Sequence, residues 1–124
     1  MNATRDHVAA WVAAYERYWR GNAVDQLATI FTEDAQYWYD PYQEPLIGLD
    51  AIREFWTEDD VFTVTSDIVA VEGDTGVVRL EVHYGETVGH EYRDLWVIRF
   101  AADGRCRYFE EWPFWPGKGH SATG

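Results

Sequence analysis

Residues 31–56 read FTEDAQYWYDPYQEPLIGLDAIREFW, and the way this stretch is parsed decides the fold. It divides into an alternating run from Asp34 to Asp40, a proline-bracketed loop from Pro41 to Gly48, and a short amphipathic segment from Asp50 to Trp56. Asp40 stands where an aromatic-rich strand, Ala35 to Tyr39, gives way to the loop. Two readings of it are open. Facing inward among Tyr37, Trp38, Tyr39 and Tyr42, its carboxyl would be desolvated and its pKa raised, making it a base or acid near neutral pH. Facing the loop, it is a turn former, since Asp before Pro favours turn initiation. The local sequence favours the turn.

Upstream of this stretch, Val8, Trp11, Val12, Tyr15 and Trp19 repeat at helical spacing and predict a helix over Thr4 to Arg20. Thr4 is suited to cap its start and Gly21 to stop it in the left-handed conformation. Asn22 and Asp25 open a second, shorter helix that carries Val24, Leu27, Ala28 and Phe31 inward. Gly48 and Asp50 introduce a third, with Ile52, Phe55 and Trp56 on its buried side.

Downstream of Asp60 the period changes to two. Val61 to Glu72, Gly76 to Thr87, Glu91 to Ala101 and Arg105 to Phe114 read as strands, the last two joined by a tight turn at Asp103-Gly104. Helices followed by an antiparallel meander make an α+β domain over residues 1–116, with 117–124 as a flexible tail. The alternation also sorts faces. Val78, Leu80, Val82 and Tyr84 share the inner face of one strand, and Asp94, Trp96, Ile98 and Phe100 that of the next. With the arginines turned outward, regular alternation places Cys106, Tyr108, Glu110, Trp112 and Phe114 inward on the last strand. Two acids, Asp94 and Glu110, then face the interior near one strand end, beside Trp96 and Trp112. A buried carboxylate is costly unless paired, hydrogen-bonded or protonated. Either acid alone reads equally well as a wet strand end, but together with the rings they predict a polar-tipped aromatic cavity.

Composition narrows the function. The chain of 124 residues carries seven Trp and eight Tyr, a load that suits a wide core, a buried interface or a pocket for a flat ligand. A net charge of −12 argues against nucleic acid and anionic membranes as partners. Cys106 is the single cysteine, which excludes an intrachain disulfide and a cysteine-based zinc site. The first residues lack the basic start and apolar run of a signal peptide, and no segment reaches the ~18 apolar residues of a membrane span, so a cytoplasmic protein is expected. His83, Glu86, His90 and Glu91 fit no compact metal site and read as solvated residues around a turn. Phosphate loops, nucleophile elbows and basic aromatic stripes are absent from the sequence. An acidic aromatic cavity could also hold a cation through its ring faces.

The element order, FTEDA, the DP…P..G..AIREFW stretch and the closing DGR…EWPF.P together resemble the nuclear transport factor 2-like superfamily, which includes SnoaL-like polyketide cyclases and ketosteroid isomerases. The resemblance runs from about Val8 to Pro116. It implies a cone-shaped, curved sheet wrapped around N-terminal helices, a cystatin-like α+β barrel roll. It also implies site residues. Asp40-Pro41 is similar to the general-base aspartate of the isomerases, although the spacing from Asp34-Ala35 is one residue longer here. Tyr15, sixteen residues before Phe31, matches their oxyanion tyrosine, and Phe55 an aromatic over the substrate. The oxyanion aspartic acid belongs where this chain has Trp96. Asp94 lies two residues earlier on the same face, a shift of roughly 6–7 Å along a strand, and Trp96 narrows a steroid-sized cavity, so a ketosteroid isomerase proper is not expected. The fold also includes epoxide hydrolases that use an arginine between two carboxylates, but Arg93 points away from Asp94 in a regular strand.

The combined expectation is a cofactor-free, metal-free acid–base enzyme of isomerase, cyclase or hydrolase type, acting on an apolar carbonyl compound up to polycyclic size. Asp40, Tyr15 and Asp94 are its expected catalytic groups, and Phe55, Trp56, Trp96, Tyr108, Glu110 and Trp112 its expected ligand-binding groups. The alternative is a non-catalytic ligand-binding or dimerisation module with the same fold. Leu95, Val97 and Phe109, expected on the outer sheet face, predict a homodimer through that face in either case.

Overall fold

A computed structural model describes residues 2–56, 62–84 and 91–116. The first helix, α1 (Arg5–Gly21), begins as expected, with the Thr4 side chain accepting from the His7 N–H at 3.1 Å. Its end lies one residue later than predicted. Gly21 is still helical, and Asn22 takes the left-handed conformation (φ 48°), which Asn tolerates better than most non-glycine residues. The segment after it is a 3₁₀ helix (Val24–Thr29) without a side-chain cap, and it buries Leu27. Strand β1 (Phe31–Trp38) starts four residues before the alternation suggested. A two-residue strand, β2 (Leu46–Ile47), lies inside what read as loop and leads into α2 (Leu49–Phe55). The meander follows as β3 (Phe62–Glu72), β4 (Thr75–Tyr84), β5 (Glu91–Phe100) and β6 (Cys106–Glu111). The expected strand ends at Val61 and Thr87, the acid Glu86, His90 and the 117–124 tail lie outside the described residues.

The six strands form one curved, open sheet in the order β2-β1-β6-β5-β4-β3. Every ladder is antiparallel except the second seam from the β2 edge, where β1 runs parallel to β6 and Tyr37 pairs with Phe109. Helix α1 covers the concave face with Val8, Trp11, Val12 and Tyr15. Val8 sits so close to β4 that a Cβ on Gly76 would lie 2.8 Å from its methyl carbon, and only glycine leaves room for this approach. The Trp11 indole N–H donates to the Ile30 carbonyl at 2.9 Å, tying the helix to the start of β1 while its ring packs edge-on against Phe31.

The interior is a block of aromatic rings. Phe109 stacks against Tyr15 at 5.5 Å and Tyr37 at 4.7 Å, while Trp96 meets its edge at 5.1 Å. Offset and edge-on pairs at such distances add to the burial of large rings, so emptying the Phe109 site would cost about 3–5 kcal/mol. The predicted inner faces of β4 and β5 are the observed ones: Val78, Leu80, Val82 and Tyr84, then Asp94, Trp96, Ile98 and Phe100, are all buried.

Strand β6 departs from regular alternation. Phe100 pairs with Cys106 but Arg99 pairs with Tyr108, leaving Arg107 as an extra residue. This bulge inverts every side chain after it. Phe109 and Glu111 therefore share the inner face with Ile98 and Trp96, their register partners, while Glu110 stands opposite Val97 on the outer face. The expectation that Tyr108, Glu110 and Trp112 face the interior is corrected accordingly.

Candidate functional site

The open end of the sheet holds a cavity of about 170 Å³ between α1, β1, α2, β5 and β6. Its deep walls are the buried residues Tyr15, Tyr37, Trp56, Tyr92 and Trp96, and its rim is formed by Trp19, Asn22, Tyr39 and Phe55. Helical spacing brings Tyr15, Trp19 and Asn22 to one face of α1 and its cap. Alternation along AQYWY sends Tyr37 and Tyr39 inward on either side of Trp38. Trp56 is buried, and Phe55 is half-exposed at the mouth, where it stacks on Tyr39 at 5.0 Å.

The polar groups of this cavity form a chain. The hydroxyls of Tyr15 and Tyr37 are 2.7 Å apart, and Tyr37 donates onward to Glu111 Oε2 at 3.3 Å. Burial first, then the neighbouring tyrosine and the Glu111 charge, push the Tyr15 hydroxyl well above its ordinary pKa, and burial does the same to Tyr37. Both tyrosines therefore remain neutral donors at all physiological pH values. Behind Glu111 lies Asp94, buried on the same face, with Oδ2 accepting from the Trp96 indole N–H at 2.9 Å. Its Oδ1 has no well-formed hydrogen bond, although the Glu111 carboxyl and the backbone N–H groups of Leu95 and Trp112 lie near enough to offset part of its desolvation. Burial dominates, and the Asp94 pKa is raised to about 6. A carboxyl of this kind exchanges its proton near neutral pH, as general acid–base chemistry requires.

Of the residues expected at the site, Tyr15, Phe55, Trp56 and Trp96 line the cavity and Asp94 lies outside its lining, bonded to Trp96; Glu111 and Tyr37, which were not expected there, line it as well. Asp40 is elsewhere. It is fully buried but does not line the cavity; its Oδ1 accepts from the Tyr42 N–H at 2.8 Å and its carbonyl from the Gln43 N–H at 3.2 Å, the geometry of an Asx-turn. Tyr108, Glu110 and Trp112 gather in an outer cleft with Trp38, Pro41, Tyr42 and Glu111, which adjoins the cavity at Glu111. There Glu110 accepts from the Tyr108 hydroxyl at 2.9 Å and from the Trp112 indole N–H. Arg93 does point away from Asp94, to Glu81 at 3.3 Å, so no arginine stands between the two site carboxyls. His83 pairs with Glu91 at 3.5 Å, and no cluster of potential metal ligands occurs among the described residues. Among those residues no helix is long and apolar enough to cross a membrane.

A six-stranded curved, open sheet with N-terminal helices is the nuclear transport factor 2-like fold. Within it, residues 8–109 match the SnoaL-like domain model, and the chain belongs to that family. Solved structures share the fold at low sequence identity. A steroid delta-isomerase from Pseudomonas aeruginosa aligns with a TM-score of 0.67 and 21% identity, over 96% of this chain and 87% of that one. A candidate polyketide cyclase from Sinorhizobium meliloti gives 0.65 and 22%, over 82% and 93%. A nuclear transport factor 2-like protein of unknown function from Burkholderia xenovorans gives 0.71 and 14%, over 91% and 87%. No curated protein matches the sequence. At these identities the likeness speaks for the fold, and the reaction has to be argued from the site.

Proposed function

We propose that this SnoaL-like domain binds a small molecule in the Tyr15–Glu111 cavity and performs cofactor-free acid–base chemistry on an apolar carbonyl compound, of isomerase, cyclase or hydrolase type. The observation that carries the reading is the hydrogen-bonded chain Tyr15–Tyr37–Glu111, set in an aromatic wall and backed by Asp94. Glu111 lines the cavity and is the group placed to take a proton alpha to the carbonyl. Asp94, buried behind it and able to hold a proton near neutrality, keeps the pair from carrying two full charges. With substrate bound, Tyr15 turns its one hydroxyl proton from Tyr37 to the enolate oxygen that develops, while Tyr37 stays bonded to Glu111, in a site with little water to compete.

The test is hydrogen–deuterium exchange at the alpha carbon of a small enone, followed by NMR in D₂O. Wild type should exchange faster than buffer, and Glu111→Gln should fall to the buffer rate. Tight binding of the enone with no exchange above buffer would overturn catalysis in favour of a non-catalytic binding module.

We also propose that two copies associate through the outer sheet face. Register places Val77 beside Val97 there, and the Trp112 N–H bonds to the Leu95 carbonyl, so these apolar side chains are contiguous. Leu95 and Trp112 are 37% and 40% exposed, and it is their contiguity with Val77 and Val97 as one apolar patch that favours a covered face.

A further inference from the structure

The size and lining of the cavity restrict what it accepts. We infer that its ligand is a single six-membered ring bearing one carbonyl, enol or phenol oxygen, and not a fused polycycle. This rests on the proposed use of the Tyr15–Glu111 cavity and narrows its substrate class.

The cavity measures about 170 Å³. An apolar protein cavity of about 150 Å³ holds one benzene ring, whereas drug-sized ligands occupy pockets of roughly 300 Å³ and upward. One ring with a small substituent fills the space, and a four-ring skeleton exceeds it. The limit is set by Trp96, whose ring lies 4.5 Å from that of Tyr15 and closes the depth of the cavity with Phe109 behind it. Trp56 packs against Tyr15 at 4.9 Å and closes the adjoining wall. These are interlocked large side chains, so widening the cavity would mean dismantling core contacts rather than rotating a surface group.

The placement of polar groups sets the ligand's oxygen count. The Tyr15 and Tyr37 hydroxyls and the Glu111 carboxyl are joined by hydrogen bonds on one side, while Trp56 and Trp96 line other parts of the wall with apolar ring surface. A flat ring fits against such surface with its oxygen toward the hydroxyl pair. A second polar substituent directed at Trp56 or Trp96, away from the cavity's other polar residues Tyr92 and Asn22, would be buried against a tryptophan ring at a cost of several-fold to a hundred-fold in affinity.

The experiment is a tryptophan-fluorescence titration, cross-checked by saturation-transfer NMR, of three phenols: 4-methylphenol, 2-naphthol and a four-ring steroidal phenol. Wild type should bind 4-methylphenol at least tenfold more tightly than 2-naphthol, and the steroidal phenol not at all. Trp56→Leu, which removes a wall, should gain affinity for 2-naphthol relative to 4-methylphenol; Val69→Ala, at an exposed position of β3 that does not line the cavity, should leave the preference of wild type intact. Wild type binding the four-ring phenol as tightly as the one-ring phenol, or binding none of the three, would overturn the size assignment. The enone exchange assay reports separately: one-ring selectivity without exchange would remove the proposed catalysis and leave the ligand class standing, while exchange with four-ring binding would do the reverse.

Discussion

Tyr15 on the helix and Tyr37 on the sheet meet hydroxyl to hydroxyl at 2.7 Å in a site where neither ring touches solvent appreciably. Because Tyr37 also donates to Glu111, the two tyrosines are not equivalent. Tyr15→Phe removes the end of the chain and leaves Tyr37 bonded to Glu111, so it should cost about 1 kcal/mol. Tyr37→Phe takes the partner from a buried hydroxyl and a donor from a carboxylate, and should cost about 1–3 kcal/mol more. Urea unfolding of both variants checks the order, and equal losses would mean that the chain does not run in this direction.

Asp94 gives the fold a defined pH dependence. In the unfolded chain it loses its proton near 3.8, and in the folded chain near 6. Between those values the native state holds more protons than the unfolded one. The stabilisation from this group is thus complete below about pH 4 and lost as pH rises through about 6. The difference corresponds to at most roughly 3 kcal/mol. Asp94→Asn should therefore gain stability relative to wild type on going from pH 4 to pH 7.5, as read from unfolding curves at both pH values. A constant difference between the two proteins would rule out Asp94 as the titrating group.

Asp40 is expected to act through its turn. Asn retains the side-chain oxygen that accepts from Tyr42, so Asp40→Asn should leave stability within about 1 kcal/mol, while Asp40→Ala should lose about 1–3 kcal/mol. Neither should change the pH dependence of phenol binding. A shift of that dependence in Asp40→Asn would instead make Asp40 a cavity base.

The contact between Gly76 and Val8 predicts a steric penalty. Gly76→Ala places a methyl 2.8 Å and 3.1 Å from the two Val8 methyl carbons and should destabilise by about 1–3 kcal/mol. Combining it with Val8→Ala should recover part of that loss, seen as a coupling of at least about 0.5 kcal/mol in a double-mutant cycle.

The proposed outer-face dimer is tested by sedimentation. Wild type should run at twice its 14.4 kDa chain mass, and Leu95→Glu should shift it to the monomer without loss of helix or strand signal. A wild type that sediments as a monomer at tens of micromolar would exclude the dimer.

What could be read from the sequence follows from where regular periodicity holds. Strand β5 is paired on both sides, so Asp94, Trp96, Ile98 and Phe100 alternate without interruption and their faces were legible. In β6 the extra residue Arg107 shifts the phase by one. Nothing local marks it, since no glycine or proline accompanies the bulge. The one hint was Phe109, an aromatic that regular alternation left stranded among outward-facing arginines. That single residue explains why Glu111 was overlooked while Tyr108, Glu110 and Trp112 were assigned to the wrong face. Tyr15 was legible because the helical stripe extends over several turns. Strand β2 was not, because two residues are too few to show a period.

The parallel seam between β1 and β6 bears on how the chain folds as it is made. Strand β1 spans Phe31–Trp38, yet its long partner, Cys106–Glu111, is synthesised after every other strand of the sheet. Until β6 emerges, β1 has only the two residues of β2 at one edge, and Tyr15 and Tyr37 lack the Phe109 ring on which both stack. Such distant pairing is slow and leaves sticky intermediates exposed. A chain that stops before β6 is therefore expected to leave the long edge of β1 unpaired and to aggregate instead of forming a smaller working domain.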